Sequence, residues 1–205
     1  MKKIAVFASG RGSNFVAIHQ HIENGTIPAR IVCLISDNPR AGALEYAERK
    51  QIPHYIVRPK AFGDENLFSD ALIQLMQRHQ VEWIVLAGYL KKIPAVLVNA
   101  YAHRIVNIHP ALLPFFGGKG MYGMNVHKAV YESGMRVSGP TVHLVTENYD
   151  EGPILAQACV DISGCRSPEE VARKVLAMEH TLYPEIIRKV LTTPFFVEGR
   201  RVFFK

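Results

Sequence analysis

The chain has 205 residues, of which 48% are hydrophobic and 20% charged, with a formal net charge of +6. Its length and composition are typical of one globular domain, so we predict a single domain over residues 1–205. No apolar run is long enough for a membrane span, and the amino-terminal residues do not resemble a signal peptide. The sequence therefore predicts a cytoplasmic location and no membrane partner. The positive charge favours anionic ligands, but scattered basic residues predict a small phosphorylated partner rather than a nucleic acid.

Strand-like and helix-like segments alternate through the first half of the chain. The runs "KKIAVFAS", "ARIVCLIS", "HYIV", "EWIVLAG" and "IVNI" are typical of strands. The helical patterns between them are "FVAIHQHIENG", "ALEYAERKQ", "ENLFSDALIQLMQRHQ" and "IPAVLVNAYAHR", the last one opened by Pro94. This alternation predicts an α/β fold with a doubly wound, mostly parallel sheet and helices on both faces.

The pattern changes from Val137 onward. "VSGPTVHLVT" and "PILAQACVDI" predict two longer strands that form an antiparallel hairpin extension of the sheet. A long helix should then begin after Ser167, with Pro168 at its first position and Glu170 completing a capping box. The tail "FFVEGRRVFFK" predicts a small hairpin with "EGR" as its turn.

A glycine-containing loop, Gly10 to Asn14, joins the first strand to the first helix. In an open parallel sheet this position suits an anion, because backbone N–H groups and the helix dipole converge there. Phe15 stands where a dinucleotide fingerprint requires its third glycine, and the loop lacks the Lys-Ser or Lys-Thr ending of a P-loop. The residues alone therefore leave a phosphate site and an ordinary tight turn equally open.

Asn107 and His109 end a predicted strand and, being two residues apart, should share one face. Asp150 lies in a polar loop that can reach the same edge of the sheet. An amide, an imidazole and a carboxylate suit acyl transfer, since they supply donors for an oxyanion and a proton carrier oriented by an acid. Without a G-x-S-x-G motif or a comparable Cys, direct attack by a substrate amine is favoured over a covalent acyl-enzyme.

The cysteines and histidines show no metal-binding spacing. Three cysteines without a CxxC pair argue against a disulfide framework and a cysteine zinc site. Four histidines are candidate metal ligands in principle, but none belongs to an H-E-x-x-H or similar cluster; they are His103, His109, His127 and His143. The sequence therefore predicts no metal.

Five segments of the chain closely resemble one enzyme family. They are, in order, "ASGRGSN", "VLAGYLKKIP", "VNIHPALLP", "SGPTVHLVTENYDEGPILAQ" and "MEHTLYPEIIRKVL". The N-I-H-P-x-L-L-P segment and the later D-x-G-P loop resemble the formyltransferase superfamily, and the G-x-G-S-N loop resembles its phosphoribosylglycinamide formyltransferase branch. The resemblance covers most of the chain and implies a formyltransferase fold.

The resemblance implies a reaction in purine biosynthesis. The amine of glycinamide ribonucleotide attacks the formyl carbon of the cosubstrate 10-formyltetrahydrofolate, which gives formylglycinamide ribonucleotide and tetrahydrofolate. Asn107, His109 and Asp150 are then the catalytic residues. We expect Asn107 and a protonated His109 to stabilise the oxyanion, and the nearby Asp150 carboxylate to raise the pKa of the imidazole and help move the proton.

The resemblance also implies ligand-binding residues. Arg11, Gly12, Ser13 and Asn14 should hold the ribonucleotide phosphate, and Glu179 should contact the amine or the ribose hydroxyls unless it is a solvated helix residue. The folate should lie against residues from three segments, namely Tyr89, Leu90, Lys91, Lys92, Ile93, Asn107, Thr146, Glu147 and Asp150. Lys91 could instead contact the anionic glutamate tail.

Two departures from the family pattern and three alternatives stay open. "FFGGKGMYGMNVH" replaces a short P-G turn, and its Gly118, Lys119 and Gly120 could form a longer flap over the substrate. Lys92 stands where the family commonly has an apolar residue. The alternatives are a formyltetrahydrofolate hydrolase, a formyltransferase acting on another amine, and a non-catalytic nucleotide-binding module. The hydrolase typically carries an additional amino-terminal domain, whereas "KKIAVF" is expected to be the first strand here. The chain could be a monomer or a homodimer.

Overall fold

The computed structural model describes all residues from 1 to 205. The chain divides into two compact units, Met1–Val106 and Asn107–Lys205. Strand β5 (Ile105–His109) contains the boundary between them.

The first unit alternates strands and helices as the sequence predicts. Its elements are β1 (Lys2–Phe7), α1 (Ser13–Glu23), β2 (Ala29–Ser36), α2 (Gly42–Arg49), β3 (His54–Ile56), a 3-10 turn (Pro59–Ala61), α3 (Glu65–Arg78), β4 (Trp83–Leu86) and α4 (Ala95–Ala100). The strands pair in the order β4-β1-β2-β3, and every pairing is parallel. This parallel order confirms the predicted alternation of strand and helix.

The core of the first unit forms around β1 and β4. Residues Ile4–Phe7 of β1 are fully buried, and all four residues of β4 are buried. A strand of continuous apolar residues is expected where both faces of a parallel sheet are covered. Burial continues beyond the strand through Ala8 and Ser9, which lead into the glycine-containing loop.

The second unit contains short strands and the longest helix. Its elements after β5 are α5 (Met124–Glu132), β6 (Val137–Ser138), β7 (Thr141–Leu144), β8 (Ile154–Gln157), β9 (Val160–Asp161), α6 (Pro168–Thr192), β10 (Phe195–Glu198) and β11 (Arg201–Phe204). The strand order is β10-β11-β8-β7, with antiparallel β7–β8 and β10–β11 pairs and a parallel β11–β8 contact. The antiparallel hairpin extension and the tail hairpin are confirmed.

The two longer strands predicted after Val137 are each interrupted. β6 and β9 form a separate antiparallel pair, while β7 and β8 belong to the main sheet. The break follows from Gly139, whose φ is +145° and where an added Cβ would lie 1.8 Å from the carbonyl oxygen of Ala158. This close backbone approach requires glycine and ends the regular pairing.

Helix α5 is an element that the sequence reasoning did not predict. Val126 and Val130 of α5 lie in a buried cluster with Val171 and Val175 of α6 and with Ala111 and Ile162. This packing stabilises a nine-residue helix that would be marginal alone. Val126 and Val130, which follow the predicted flap, therefore belong to the core of the second unit.

The start of α6 largely confirms the predicted cap. Ser167 Oγ accepts a hydrogen bond from the Glu170 amide (3.3 Å), and Pro168 is the first helical residue. The Glu170 carboxylate accepts from the Arg166 amide (2.8 Å) rather than from Ser167, so the second half of the capping box lies one residue earlier than predicted. None of the helices, including the 25-residue α6, combines the length and apolar character needed to cross a bilayer.

Candidate active site

Asn107 and His109 extend from the end of β5, where neighbouring groups fix both side chains. The Asn107 amide nitrogen donates to Nε2 of His143 (3.0 Å). His109 is 3% exposed, and its Nε2 donates to the carbonyl oxygen of Phe116 (2.8 Å). Because a carbonyl oxygen only accepts, this contact places the proton of the neutral imidazole on Nε2 and leaves Nδ1 as the acceptor.

Asp150 joins the two histidines. Its Oδ2 atom lies 3.5 Å from His109 Nδ1, and its Oδ1 atom lies 3.6 Å from His143 Nε2. The Gly118 amide donates to Oδ2 (2.9 Å), and the side chain is only 11% exposed. The structure therefore brings Asn107, His109 and Asp150 into one cluster, with His143 between the amide and the carboxylate.

The pKa of His109 differs from the value expected from the sequence, whereas that of Asp150 is lowered by its neighbours. Burial alone would raise the pKa of the Asp150 carboxyl, but His143, the charge of His109 and the Gly118 amide together hold it below its usual value. Burial lowers the pKa of His109, and the opposing effects of Asp150 and the Phe116 carbonyl do not offset it. The expectation that Asp150 keeps His109 protonated is therefore wrong, since desolvation of the buried imidazole dominates.

His143 is a member of the cluster that the sequence reasoning considered only as a metal ligand. Its Nδ1 donates to the carbonyl oxygen of Leu144 (2.9 Å), so in the neutral ring Nε2 is the acceptor that faces Asn107. Gly152 packs against the same carbonyl, because an added Cβ would lie 1.7 Å from the Leu144 oxygen. A histidine inside the otherwise apolar β7 was the available sequence signal, and such a buried polar group needs partners.

His127 of α5 is another buried histidine, 7% exposed, with no hydrogen-bond partner on Nδ1. Burial, assisted by the charge of His109, lowers its pKa to about 4. It is therefore neutral at physiological pH. No group of three or more His, Cys, Asp or Glu side chains is arranged to hold a metal ion.

The glycine-containing loop of the first unit leads directly into α1. Gly12 is the residue before the helix and has φ +77° and ψ +29°, in the left-handed region. An added Cβ would lie 2.7 Å from the Cβ of Ala43, so both conformation and space require glycine here. Asn14 is buried, Ser13 is half-buried and Arg11 is exposed, which leaves the start of α1 with amide groups suited to an anion.

The segment Tyr89–Ile93 follows β4 in the same unit. Tyr89 is buried and packs edge-to-face on Phe7, with ring centroids 5.3 Å apart. The Leu90 amide donates to Ser9 Oγ (2.9 Å), and the Ser9 hydroxyl donates to Asp37. Lys91 Nζ lies 3.7 Å from the Asp37 carboxylate. The β1, β2 and β4 ends are thus tied together by a polar network that sequence reasoning did not predict.

The remaining predicted ligand residues differ in exposure. Leu90, Lys91 and Lys92 are exposed and Ile93 is buried, and in the second unit Thr146 and Glu147 lie in an exposed loop. Glu179 is 7% exposed in the middle of α6. Its alternative interpretation as a solvated helix residue is therefore wrong.

Comparison with known proteins assigns the family. A profile of the formyl transferase family matches residues 2–187. The chain is 49% identical over 188 residues to a chloroplastic phosphoribosylglycinamide formyltransferase of Arabidopsis thaliana, covering 91% of this chain and 64% of the relative. It is 39% identical over 191 residues to phosphoribosylglycinamide formyltransferase of Bacillus subtilis, covering 93% of this chain and 95% of the relative. The chain thus spans less than two thirds of the plant protein but nearly all of the bacterial one.

A solved structure agrees with this assignment. Glycinamide ribonucleotide transformylase 1 from Symbiobacterium toebii superposes with a TM-score of 0.92 at 38% identity, over 100% of this chain and 94% of that chain. The mostly parallel mixed sheet with its antiparallel hairpin strands therefore has the fold of the formyltransferases. The chain belongs to the formyl transferase family, and the plant and bacterial relatives named above are phosphoribosylglycinamide formyltransferases.

Proposed function

We propose that the chain transfers the formyl group of 10-formyltetrahydrofolate to the amine of glycinamide ribonucleotide. The products are formylglycinamide ribonucleotide and tetrahydrofolate, in purine biosynthesis. The observation that carries this proposal is the 3.5 Å contact between the Asp150 carboxylate and the His109 imidazole, beside the Asn107 amide. It is supported by the relatives of the chain, which are named phosphoribosylglycinamide formyltransferases. An amide donor, a base and an acid are the groups that acyl transfer to an amine requires.

The amide of Asn107 stabilises the negative charge that develops on the formyl oxygen. One of its N–H groups is committed to His143, which fixes the orientation of the amide and leaves the second N–H as a donor. When the substrate amine attacks the formyl carbon, the carbonyl oxygen becomes an oxyanion. An oriented donor in a largely buried site stabilises that oxyanion more than it stabilises the neutral carbonyl, which lowers the barrier.

His109 carries the proton. The attacking nitrogen must lose a proton as it bonds to the formyl carbon, and the neutral imidazole accepts it at Nδ1, since Nε2–H is held by Phe116. The ionised Asp150 stabilises the imidazolium from 3.5 Å. The proton then passes to N10 of the folate as the bond from N10 to the formyl carbon breaks, so that atoms and charge balance. This sequence needs neither a metal nor a covalent acyl-enzyme.

The phosphate of glycinamide ribonucleotide is proposed to bind at the start of α1. Arg11, Gly12, Ser13 and Asn14 supply backbone N–H groups, two polar side chains and one positive charge, which together suit a dianion. The left-handed Gly12 supports this role, because it turns the backbone immediately before the helix. Glu179 is proposed to contact the substrate's amine or ribose hydroxyls.

The folate cosubstrate is proposed to lie against backbone and apolar groups. The residues are Tyr89, Leu90, Lys91, Lys92, Ile93, Asn107, Thr146, Glu147 and Asp150. The backbone N–H and C=O groups of these residues suit a pterin, whose edge presents donors and acceptors that they can match. The exposed Lys91 and Lys92 suit the anionic glutamate groups. We also propose that residues 1–205 act as a single formyltransferase domain, since the family match spans parts of both compact units.

The expected setting is a reducing compartment such as the cytoplasm, which suits three free thiols, Cys33, Cys159 and Cys165. Small-molecule substrates, rather than nucleic acid, are the proposed partners of a monomer or homodimer. The test follows tetrahydrofolate formation with and without glycinamide ribonucleotide. Production that depends on the amine supports formyl transfer, production without it indicates a hydrolase, and no production with intact binding indicates a binding module.

A further inference from the structure

The backbone of residues 116–118 contacts both members of the proposed acid–base pair. The carbonyl of Phe116 accepts from His109 Nε2 (2.8 Å), and the amide of Gly118 donates to Asp150 Oδ2 (2.9 Å). One carbonyl and one amide, two residues apart, therefore bind the imidazole at its other nitrogen and the carboxylate at the same oxygen that faces Nδ1. No side chain of this segment is needed for either bond.

Gly117 lies between these two backbone groups and is packed against Asp150 and Leu113. An added Cβ would lie 2.6 Å from Leu113 Cδ2, 3.2 Å from Asp150 Cβ and 3.7 Å from Asp150 Oδ2. Distances below 3.0 Å do not occur between such atoms without displacement of one of them. Its φ is outside the left-handed region, so space rather than conformation opposes a side chain here: the end of the Leu113 side chain and Asp150 Cβ would both have to shift to admit one.

Two residues at the same contacts have a backbone conformation that non-glycine residues rarely adopt. Phe116 has φ +56° and Asp150 has φ +56°, two of the five non-glycine residues with positive φ in the chain. A bulky side chain is disfavoured in this region, and such strain persists only where the surroundings enforce it. Strained residues of this kind collect at sites that must be held in one geometry.

We propose that the 116–118 segment is a positioning element for the formyl-transfer reaction, and that Gly117 is the residue that makes it possible. The segment fixes the His109 tautomer with its proton on Nε2, so that Nδ1 is the nitrogen that takes the substrate proton. It also fixes the Asp150 carboxylate beside that nitrogen. The inference rests on the proposed function, since it assigns a role in that reaction.

A positioning role makes a prediction that separates turnover from binding. Displacing the segment removes a hydrogen bond from each partner, which changes the proton transfer while leaving the substrates' other contacts in place. Loss of the Phe116 contact lowers the pKa of His109 further, and loss of the Gly118 contact raises the pKa of Asp150. The pH dependence of turnover therefore changes together with its maximum.

The first experiment compares Gly117→Ala with the matched control Gly164→Ala. Gly164 has no atom within 4 Å of an added Cβ and no left-handed φ, so its variant tests the cost of the methyl group alone. We expect Gly117→Ala to lower kcat about 10- to 100-fold with KM for both substrates within about threefold, and to shift the pH profile of kcat. A Gly117→Ala enzyme with the parent kcat and pH profile would overturn the proposal.

The second experiment needs no variant at the segment and so does not depend on its folding. The parent enzyme, labelled with 15N-histidine, is examined by NMR near neutral pH, and the His109 signals are assigned by their loss in His109→Asn. We expect the shifts of a ring protonated on Nε2, with an unprotonated Nδ1. A ring protonated on Nδ1 would contradict the role given to the Phe116 carbonyl.

Failure of this inference can be told apart from failure of the proposed function. If the parent enzyme does not formylate glycinamide ribonucleotide, the proposed function is wrong, whatever the NMR spectrum shows. If the parent enzyme is active but Gly117→Ala matches it, or the ring is protonated on Nδ1, the positioning role is wrong and the formyltransferase assignment stands.

Discussion

Replacing Asp150 by Asn tests the contact on which the proposed chemistry depends. The carboxylate lies 3.5 Å from His109 Nδ1, the atom proposed to take the proton from the attacking amine. Asparagine has nearly the same shape, and its carbonyl oxygen can still accept from the Gly118 amide. The substitution therefore removes one negative charge and leaves the packing of the site in place.

The size of the effect follows from this separation. Both side chains are largely buried, with exposed fractions of 4% for His109 and 11% for Asp150. At an effective dielectric constant of about 20, a charge pair at this distance is worth about 5 kcal/mol. The neutral ground state of His109 gains little from Asp150, so most of this energy stabilises the imidazolium formed during transfer. We expect kcat to fall about a thousandfold or more.

The assay measures kcat and KM for both substrates by the rate of tetrahydrofolate formation. KM should stay within about threefold of the parent value, because uniform binding is not altered. Asp161→Asn is the matched control, since Asp161 lies in β9 as an exposed carboxylate that accepts a hydrogen bond from the Ser163 amide. A loss of kcat below about tenfold in Asp150→Asn would refute the role of the carboxylate in stabilising the imidazolium.

Three further outcomes are expected. Turnover requires neutral His109, whose pKa lies below 6.5, so kcat should fall only as pH drops through that lowered value, and Asp150→Asn should move the midpoint further toward acid in a pH–rate profile. The folded-state pKa of His127 is about 4, so this residue alone should lower the unfolding free energy from urea titrations by about 2 kcal/mol between pH 7 and about pH 5, and the total drop should be smaller by that amount in His127→Asn. Gly12→Ala should lose about 1–3 kcal/mol of stability and raise KM for glycinamide ribonucleotide about tenfold relative to Gly164→Ala, because the added Cβ meets α2.

The proposed catalytic residues could be placed from the sequence because strand periodicity is simple. Asn107 and His109 are two residues apart, so any extended chain puts them on one face, and the polar run that contains Asp150 follows an apolar strand. The parallel order of the first unit followed from alternating patterns in the same way. Each of these inferences needed only local residue spacing.

The features that were missed depend on tertiary packing. Helix α5 is stabilised by contacts with α6, which does not begin until Pro168, and the residues just before α5 include several glycines that favour a loop interpretation. The charge state of His109 was predicted wrongly because burial cannot be read from the residue's neighbours in sequence. The place of His143 in the cluster was missed for a similar reason, since its partner Asn107 lies 36 positions earlier in the chain.

Gly152 sets a limit on how the proposed site can vary. Every side chain places its first carbon where the oxygen of Leu144 already lies, 1.7 Å away, and that oxygen is the one that binds His143 Nδ1. In a saturation library at this position, each of the nineteen replacements would push the peptide aside before its own chemistry mattered. The orientation of the Asn107 amide on β5 thus depends on Gly152 just before β8, because only glycine leaves room there for the Leu144 oxygen that holds His143.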